Sequence, residues 1–557
     1  MRNAGRLLLP IGTTNYKKIC DNYYYVDKTL MIKDILDEGT EISLFTRPRR
    51  FGKTLNMDML RTFFEKQEED TSRYFTDKKI WQQGEAYTKH QGKYPVIYLS
   101  LKDANKLTWS DLYARLIETI RDEFFRHSEL NNSPKISNPE FYKKIIAGQA
   151  TEAEYSISIL RLSRMLREHY GQSVILMIDE YDTPIQAGYI NGFYNEAIQF
   201  IRDLFSSALK DNDNLAFGFL TGILRVAKES IFSGLNNIYV YSVLDDKFSD
   251  CFGFTDMEVK QLVHYYALDD KLAEIKEWYD GYRFGEVEIY NPWSVLSYLK
   301  NGCRAIPYWV QTSSNSTINT ILRNLDGETY QKLKDIINGK AISSIVSTNV
   351  IYPELKDRSA NIFGFLLMTG YLKSSRTNFT MRGNILCELC IPNKEIENVY
   401  YNEILSQLAD GVSINTTNVL SEALLHKDDV LLKQSLNKFL LETISFYDTL
   451  NENYYHGLLL GMTAIFAHDY YIYSNRESGL GRYDIMLVPK QAGLPGIVIE
   501  VKSTDKSSSA SLKALASRAL AQINTNKYDA ELVKQGVKLI YKYGIAFSGK
   551  QAEIMTN

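Results

Sequence analysis

Cysteine is scarce in this chain, with five in 557 residues, too few for a disulfide framework at that length. Cys387 and Cys390 have CxxC spacing, but no second pair accompanies them. On a strand, residues three apart face opposite sides, so no zinc site is expected there. Long hydrophobic runs are missing too. Leu7 to Ile11 is too brief for a signal peptide, and the ten residues from Leu458 to Ala467 fall short of a bilayer-crossing helix. That stretch reads as a buried helix, and the expectation is a cytoplasmic protein with no membrane partner. Excess charge of either sign is absent: the formal net charge is −3. Nothing draws the whole chain to nucleic acid, so any such contact needs a local patch whose affinity falls with salt. Neither an internal repeat nor a low-complexity tract is present. Charged residues at 24% and hydrophobic ones at 45% are ordinary globular values, and the length suggests about two to four domains.

What is present is concentrated near the C terminus. Gly481-Arg482-Tyr483-Asp484-Ile485-Met486-Leu487-Val488 places an acid before an apolar strand. Gly496-Ile497-Val498-Ile499-Glu500-Val501-Lys502-Ser503 ends a second strand in acid-x-lysine. Residues two apart on a strand share a face, so Glu500 and Lys502 project together. If the strands pair, Asp484 joins them. Two converging carboxylates repel unless a divalent cation lies between them, and Mg²⁺ suits one or two carboxylates with waters. Such a cation generates a nucleophile from water at neutral pH, and a lysine beside it can hold a phosphate. The chemistry indicated is metal-dependent phosphodiester hydrolysis. Acid-x-lysine triplets alone are common on solvated strand edges; here Asp484 upstream, two apolar strands and a helix-like Ala514 to Gln522 set this one apart.

The N-terminal half carries a second signal. Glu41-Ile42-Ser43-Leu44-Phe45 is a short apolar strand running into Thr46-Arg47-Pro48-Arg49-Arg50-Phe51-Gly52-Lys53-Thr54, and a helix-like stretch follows to Phe64. Strand, tight loop and helix in that order cradle phosphates on loop amides and a helix N terminus. Gly52 allows the turn, Lys53 would reach the β- and γ-phosphates, and Thr54 would reach Mg²⁺. Arg49 and Arg50 either add phosphate contacts or cover a solvated face. The usual pattern has glycine where this chain has Arg47. A partner motif follows: Ser173 to Ile178 is a buried strand ending in Asp179-Glu180, at the end of a parallel sheet where ligands bind. Asp179 would hold Mg²⁺ and Glu180 would polarise the attacking water. A further strand, Leu215 to Leu220, ends in Thr221-Gly222-Ile223-Leu224-Arg225, where Thr221 could sense the γ-phosphate and Arg225 neutralise transition-state charge. Pro95 to Leu101 adds another strand, and helical spans such as Trp109 to Phe125 and Ala197 to Leu209 alternate with them, as in a parallel α/β sheet.

Asp484, Glu500 and Lys502 resemble the D…(D/E)xK positions of the PD-(D/E)XK nuclease superfamily, with Tyr483-Asp484 in place of the usual Pro-Asp. That resemblance implies a restriction-endonuclease-like α/β/α domain and a further acid on the preceding helix, for which Glu452 is the candidate, with His456 one turn on. Gln522 and Tyr528 are similar to the trailing Gln/Tyr motif of its exonuclease-like branch. The rest of the chain resembles the predicted AAA-type ATPase-like family often fused to such a domain in bacteria. The match runs through Leu9-Pro10-Ile11-Gly12, Tyr25-Val26-Asp27-Lys28-Thr29, the Arg47 to Thr54 string and Ile178-Asp179-Glu180-Tyr181-Asp182. It continues through Trp278-Tyr279-Asp280-Gly281-Tyr282-Arg283-Phe284-Gly285 and Tyr290-Asn291-Pro292-Trp293-Ser294. Arg47 belongs to that family's loop variant. The resemblance implies ATP and Mg²⁺ as cofactors and points toward defence or mobile-element biology.

The expected architecture is α/β. A P-loop ATPase domain with a parallel sheet covers residues 1–235, and a helical and winged-helix-like region covers 236–400. A nuclease-like domain with connecting helices covers 401–557. Phe363 to Leu372 supplies the helix-then-wing pattern, and residues 398 to 445 read as connecting helices. Lys490, Lys502, Lys506, Lys513, Arg518 and Lys527 put positive charge around the nuclease core. Tyr454, Tyr455, Tyr470, Tyr471 and Tyr473 offer rings that could stack on unpaired bases. The function expected is an ATP-binding and hydrolysing protein whose nucleotide state regulates a Mg²⁺-dependent DNA nuclease, with a homo-oligomer left open. The rival is a nucleotide-switched signalling or scaffold ATPase whose C-terminal domain binds nucleic acid without cutting it. Retention of both acids and the lysine argues against the rival.

Overall fold

The structure is a computed structural model. It describes residues 6–226, 237–309, 329, 332–333, 335–336, 339–350, 352–354, 359–400, 414–443, 452–463, 466, 469–474, 477–479, 481–504 and 508–557. The chain divides into two compact units, one of residues 1–317 with 325–396 and one of 318–324 with 397–557.

The first unit is built on five strands: β1 (Ile42–Thr46), β2 (Val96–Ser100), β3 (Val174–Asp179), β4 (Leu215–Gly222) and β5 (Ile238–Tyr241). They lie in the order β2-β3-β4-β1-β5, and every pairing is parallel. All of β1 and β3 is buried, as strands covered on both faces require. Helices Trp109–Arg126 and Tyr194–Leu209 fall on the spans expected from apolar spacing. The order matters for chemistry. Because β4 lies between β1 and β3, Thr221 at its end stands between the loop after β1 and the acids at the end of β3. Loops at the C-terminal ends of parallel strands gather at one edge, where α/β sheets bind ligands.

The same unit continues through helices Asp256–Tyr265, Leu272–Tyr279 and Pro292–Lys300. The helix Ser359–Thr369 is followed by antiparallel strands Lys373–Phe379 and Ile385–Cys390, and the latter also pairs with Ile342–Val346. Helix followed by hairpin is the winged-helix order. Gly364 permits the helix to sit on the chain beneath it, since a Cβ there would lie 2.0 Å from the Ser347 carbonyl oxygen. Cys387 is buried and Cys390 half-buried on the same strand, and all five cysteines are free.

Glu395, on the helix Lys394–Val399, is fully buried. It accepts hydrogen bonds from Ser294 Oγ (2.8 and 3.0 Å) and from the Trp309 amide (2.9 Å). Burial pushes its carboxyl up to about 7. The folded chain keeps this proton to about pH 7, whereas the unfolded chain releases it near the ordinary value of about 4.5. Stability is therefore fully present below the lower value and declines as pH rises through the upper one. Glu395→Gln should flatten that decline in a melting-temperature series from about pH 5 to 8. An equally steep fall in the variant would refute the assignment.

The second unit has a five-stranded mixed sheet: β6 (Tyr470–Ser474), β7 (Ile485–Pro489), β8 (Gly496–Ser503), β9 (Ile540–Ser548) and β10 (Gln551–Thr556), in that spatial order. Only β8 and β9 are parallel, and the helix Ser509–Thr525 connects them, as a parallel pair demands. Alternation along β7 and β8 splits the core in two. Ile485, Leu487, Ile497 and Ile499 pack with Leu432, Leu436 and Leu459 from the helices Asp429–Thr443 and Glu452–Thr463. Met486, Val488 and Val498 face the other way, with Ile523, Tyr528 and Leu532. The result is helices on both faces of one sheet. Among the described residues no helix is long and apolar enough to cross a membrane.

Candidate active sites

The loop after β1 turns tightly. Arg50 (φ 72°) and Gly52 (φ 83°) adopt left-handed backbone, and Gly52 caps the helix Lys53–Phe64. Lys53 Nζ is buried and donates to the carbonyls of Arg47 (3.0 Å) and Pro48 (2.9 Å), so the ammonium lies under the loop. Burial lowers its pKa. Thr54 Oγ1 donates to Asp179 Oδ2 at 2.8 Å, and Thr221 Oγ1 donates to Asp179 Oδ1. Glu180 follows with φ 54°, its amide donating to Thr221 Oγ1 at 3.3 Å, and burial raises its carboxyl pKa. Lys53, Thr54, Asp179, Glu180 and Thr221 thus share one locus. Arg225 follows the end of β4, in a two-residue strand with Val226 that pairs with Asn349–Val350.

Arg47 turns inward. Its guanidinium is buried and donates to the carbonyls of Thr46 (2.9 Å), Tyr241 (2.8 Å) and Phe248 (3.1 Å), with its charge over the rings of Phe252 and Phe284. Burial lowers its pKa to about 10. It ties the loop after β1 to β5 and the segment beyond it. Charge-assisted bonds of about 1.5–3 kcal/mol each offset a desolvation cost of several kcal/mol. Arg47→Gly, which would restore the commoner loop residue, should lower stability by about 3 kcal/mol through lost bonds and a cavity. Chemical denaturation reads this directly; an unchanged or higher midpoint would refute the anchoring role.

The two outer arginines contact neighbouring protein groups. Arg49 Nη2 donates to Gln186 Oε1 at 3.1 Å, and the Arg50 guanidinium stacks 4.3 Å from the Trp293 ring centroid. The Trp309 indole donates to the Arg49 carbonyl at 3.3 Å, and the Gly253 amide to that of Phe51 at 3.1 Å. The Phe51 ring packs on Tyr282 and Phe284. The Trp278–Gly285 and Tyr290–Ser294 motifs therefore include residues that clasp the loop after β1. Spacing along the chain gave no sign of this, because the contacts join residues about 240 positions apart.

In the second unit the register pairs Ile485 with Ile499, which brings Asp484 alongside Glu500. Asp484 Oδ2 accepts from the Val501 amide at 2.7 Å, and Lys502 Nζ donates to Glu500 Oε1 at 2.9 Å. Glu500 is 1% exposed, and its Oε2 is buried with no hydrogen-bond partner among the described residues. Burial, then the Asp484 charge, raises its pKa to about 7. His456 Nε2 lies 3.1 Å from the Asp484 carbonyl oxygen and 3.1 Å from Ser474 Oγ. Glu452 begins the same helix, but its side chain lies outside the described residues. Among the described residues no three His, Cys, Asp or Glu side chains converge as a metal cluster. Gln522 Nε2 donates to the Tyr528 hydroxyl at 3.1 Å, which joins the trailing motif to itself.

Lys490, Lys513, Arg518 and Lys527 are exposed, while Lys506 lies outside the described residues. Tyr455 and Tyr470 are core residues, and Tyr455 stacks on Phe547. Tyr471 is 54% exposed, with Lys490 over its ring. The side chain of Tyr454 lies outside the described residues.

Residues 10–232 match the family model described as a predicted AAA-ATPase, and residues 450–557 match a PD-(D/E)XK nuclease superfamily model. The chain is also similar to a protein of Azotobacter chroococcum mcd 1 described as an uncharacterized protein in the vnfD 5′ region. The two are 26% identical over 489 residues, which covers 86% of this chain and 81% of that protein.

Proposed function

From a chain that combines a predicted AAA-ATPase-like domain with a PD-(D/E)XK nuclease superfamily domain, we propose an ATP-hydrolysing protein whose nucleotide state regulates Mg²⁺-dependent cleavage of DNA. The observation that carries the nuclease reading is the meeting of Asp484, Glu500 and Lys502 at the ends of β7 and β8. A buried Glu500 oxygen with no hydrogen-bond partner among the described residues, beside a second carboxylate, suits a divalent cation. Asp484 and Glu500 would hold that cation. Bound there, it supplies charge neutralisation and Lewis acidity toward a phosphodiester. Lys502 keeps Glu500 oriented and offers its ammonium to the attacked phosphate, and Glu452 is proposed as a further acid. The exposed Lys490, Lys513, Arg518 and Lys527 would contact the backbone of the nucleic acid.

In the first unit Lys53 leaves the loop carbonyls for the β- and γ-phosphates, while Gly52, Arg49 and Arg50 shape the phosphate cradle. Thr54 and Asp179 hold Mg²⁺, and Glu180 orients the attacking water. Thr221 and Arg225 respond to the γ-phosphate. Incubating the full chain with single- and double-stranded DNA and RNA, with and without Mg²⁺ and ATP, tests the whole reading. Products confined to Mg²⁺-containing DNA reactions, at a rate that ATP changes, are expected. No cleavage with Mg²⁺ would refute the nuclease reading, and an ATP-independent rate would refute regulation.

A further inference from the structure

The segments that follow β3 and β4 are joined by bonds that phosphate binding does not require. Asp182 is 4% exposed, and its Oδ2 accepts from the main-chain amides of Ile223 (2.8 Å) and Leu224 (3.0 Å). The Tyr181 amide donates to the Thr221 carbonyl at 3.0 Å. Its hydroxyl donates to the Leu224 carbonyl (2.6 Å) and accepts from the Val226 amide (3.0 Å). Gly222 lets the two segments close up, since a Cβ there would lie 2.6 Å from Tyr181 Cε1 and 2.9 Å from Asp182 Oδ1. Between these ties stands Thr221, whose hydroxyl meets both Asp179 and the Glu180 amide. Glu180 is held in left-handed backbone, a conformation that persists only when its surroundings enforce it. Placing a buried carboxylate against main-chain amides is costly enough to ask what it secures.

Resting on the reading that the first domain hydrolyses ATP, we propose that Asp182 is a positioning residue for that reaction. By holding Ile223 and Leu224, it keeps Thr221 Oγ1 on Asp179 and on the Glu180 amide. Asp179 is then placed for the metal and Glu180 for the attacking water before nucleotide arrives. Asp182 need touch neither the nucleotide nor its metal, so its loss should spare binding and slow turnover.

The test measures ATP turnover and ATP affinity on the full chain for Asp182→Ala, Asp182→Asn, Thr221→Ala and the Asp182→Ala/Thr221→Ala double variant. Asp182→Ala should lower kcat by roughly ten- to a hundredfold while affinity stays within about threefold. Asp182→Asn keeps an acceptor oxygen for both amides and should recover at least about a third of wild-type turnover. The double variant should be no slower than Thr221→Ala, because both changes act through one hydroxyl. Should Asp182→Ala fail to fold, Asp182→Ser replaces it with the same expected readings. Wild-type turnover in the alanine or serine variant, or parallel losses of affinity and turnover that add to those of Thr221→Ala, would overturn the proposal. A wild-type chain that binds ATP without hydrolysing it would instead overturn the hydrolysis reading on which this one rests.

Discussion

Asp484→Ala is expected to reduce Mg²⁺-dependent DNA cleavage by about a thousandfold or more, with ATP turnover unchanged. Asp484 does two things at once. Its Oδ2 binds the Val501 amide between Glu500 and Lys502, and its charge lies close enough to help raise the Glu500 pKa. Removing it loses one candidate ligand and loosens the strand end that carries the other two groups. Glu500→Gln should be as damaging, for the amide cannot supply the second negative charge. Retained cleavage by Asp484→Ala, read as product per unit time on labelled DNA, would sink the assignment of this site.

Lys53→Ala is expected to weaken nucleotide binding by about ten- to a hundredfold. That corresponds to losing a charge-assisted hydrogen bond worth about 1.5–3 kcal/mol. The ammonium now donates to the carbonyls of Arg47 and Pro48. Binding would exchange these for phosphate oxygens, and a group that gives up two good bonds must gain stronger ones. Alanine leaves those carbonyls without their donor, so the loop itself should also soften. Nucleotide titration on the full chain measures the effect, and unchanged affinity would defeat the role given to Lys53. If ATP alters DNA cleavage in the wild-type chain, the same variant should lose that response at moderate ATP. Persistence of the response would separate regulation from this loop.

Much of the architecture was legible in the sequence because it rests on local pattern. The strands ending in Thr46, Asp179 and Ser503 are mostly apolar runs, and each carries or leads into a recognisable group of polar residues. Pairing of β7 with β8 follows from two adjacent apolar segments, and alternation on them assigns each side chain a face. Arg47 was harder to place. In the sequence it occupies a position where glycine is usual. In the fold it reaches three carbonyls, on Thr46, Tyr241 and Phe248, and two of these are about 200 residues away along the chain. Tyr181 and Asp182 were visible as motif residues without a task, because their partners come from the end of β4 and the segment after it.

The amino-acid order by itself determined which groups could do chemistry: a lysine and threonine at a loop-to-helix junction, paired acids after a buried strand, and acid with acid-x-lysine on neighbouring strands. These follow from residue type and short-range spacing, which backbone geometry converts directly into direction. Tertiary structure alone decided that β4 lies between β1 and β3, so that Thr221 meets Asp179. It also decided that Trp293 and Trp309 close on the loop after β1, and that one Glu500 oxygen is buried with no hydrogen-bond partner among the described residues. Such facts depend on sheet order and on contacts between distant segments, and these are settled by how whole faces pack rather than by any local run of residues.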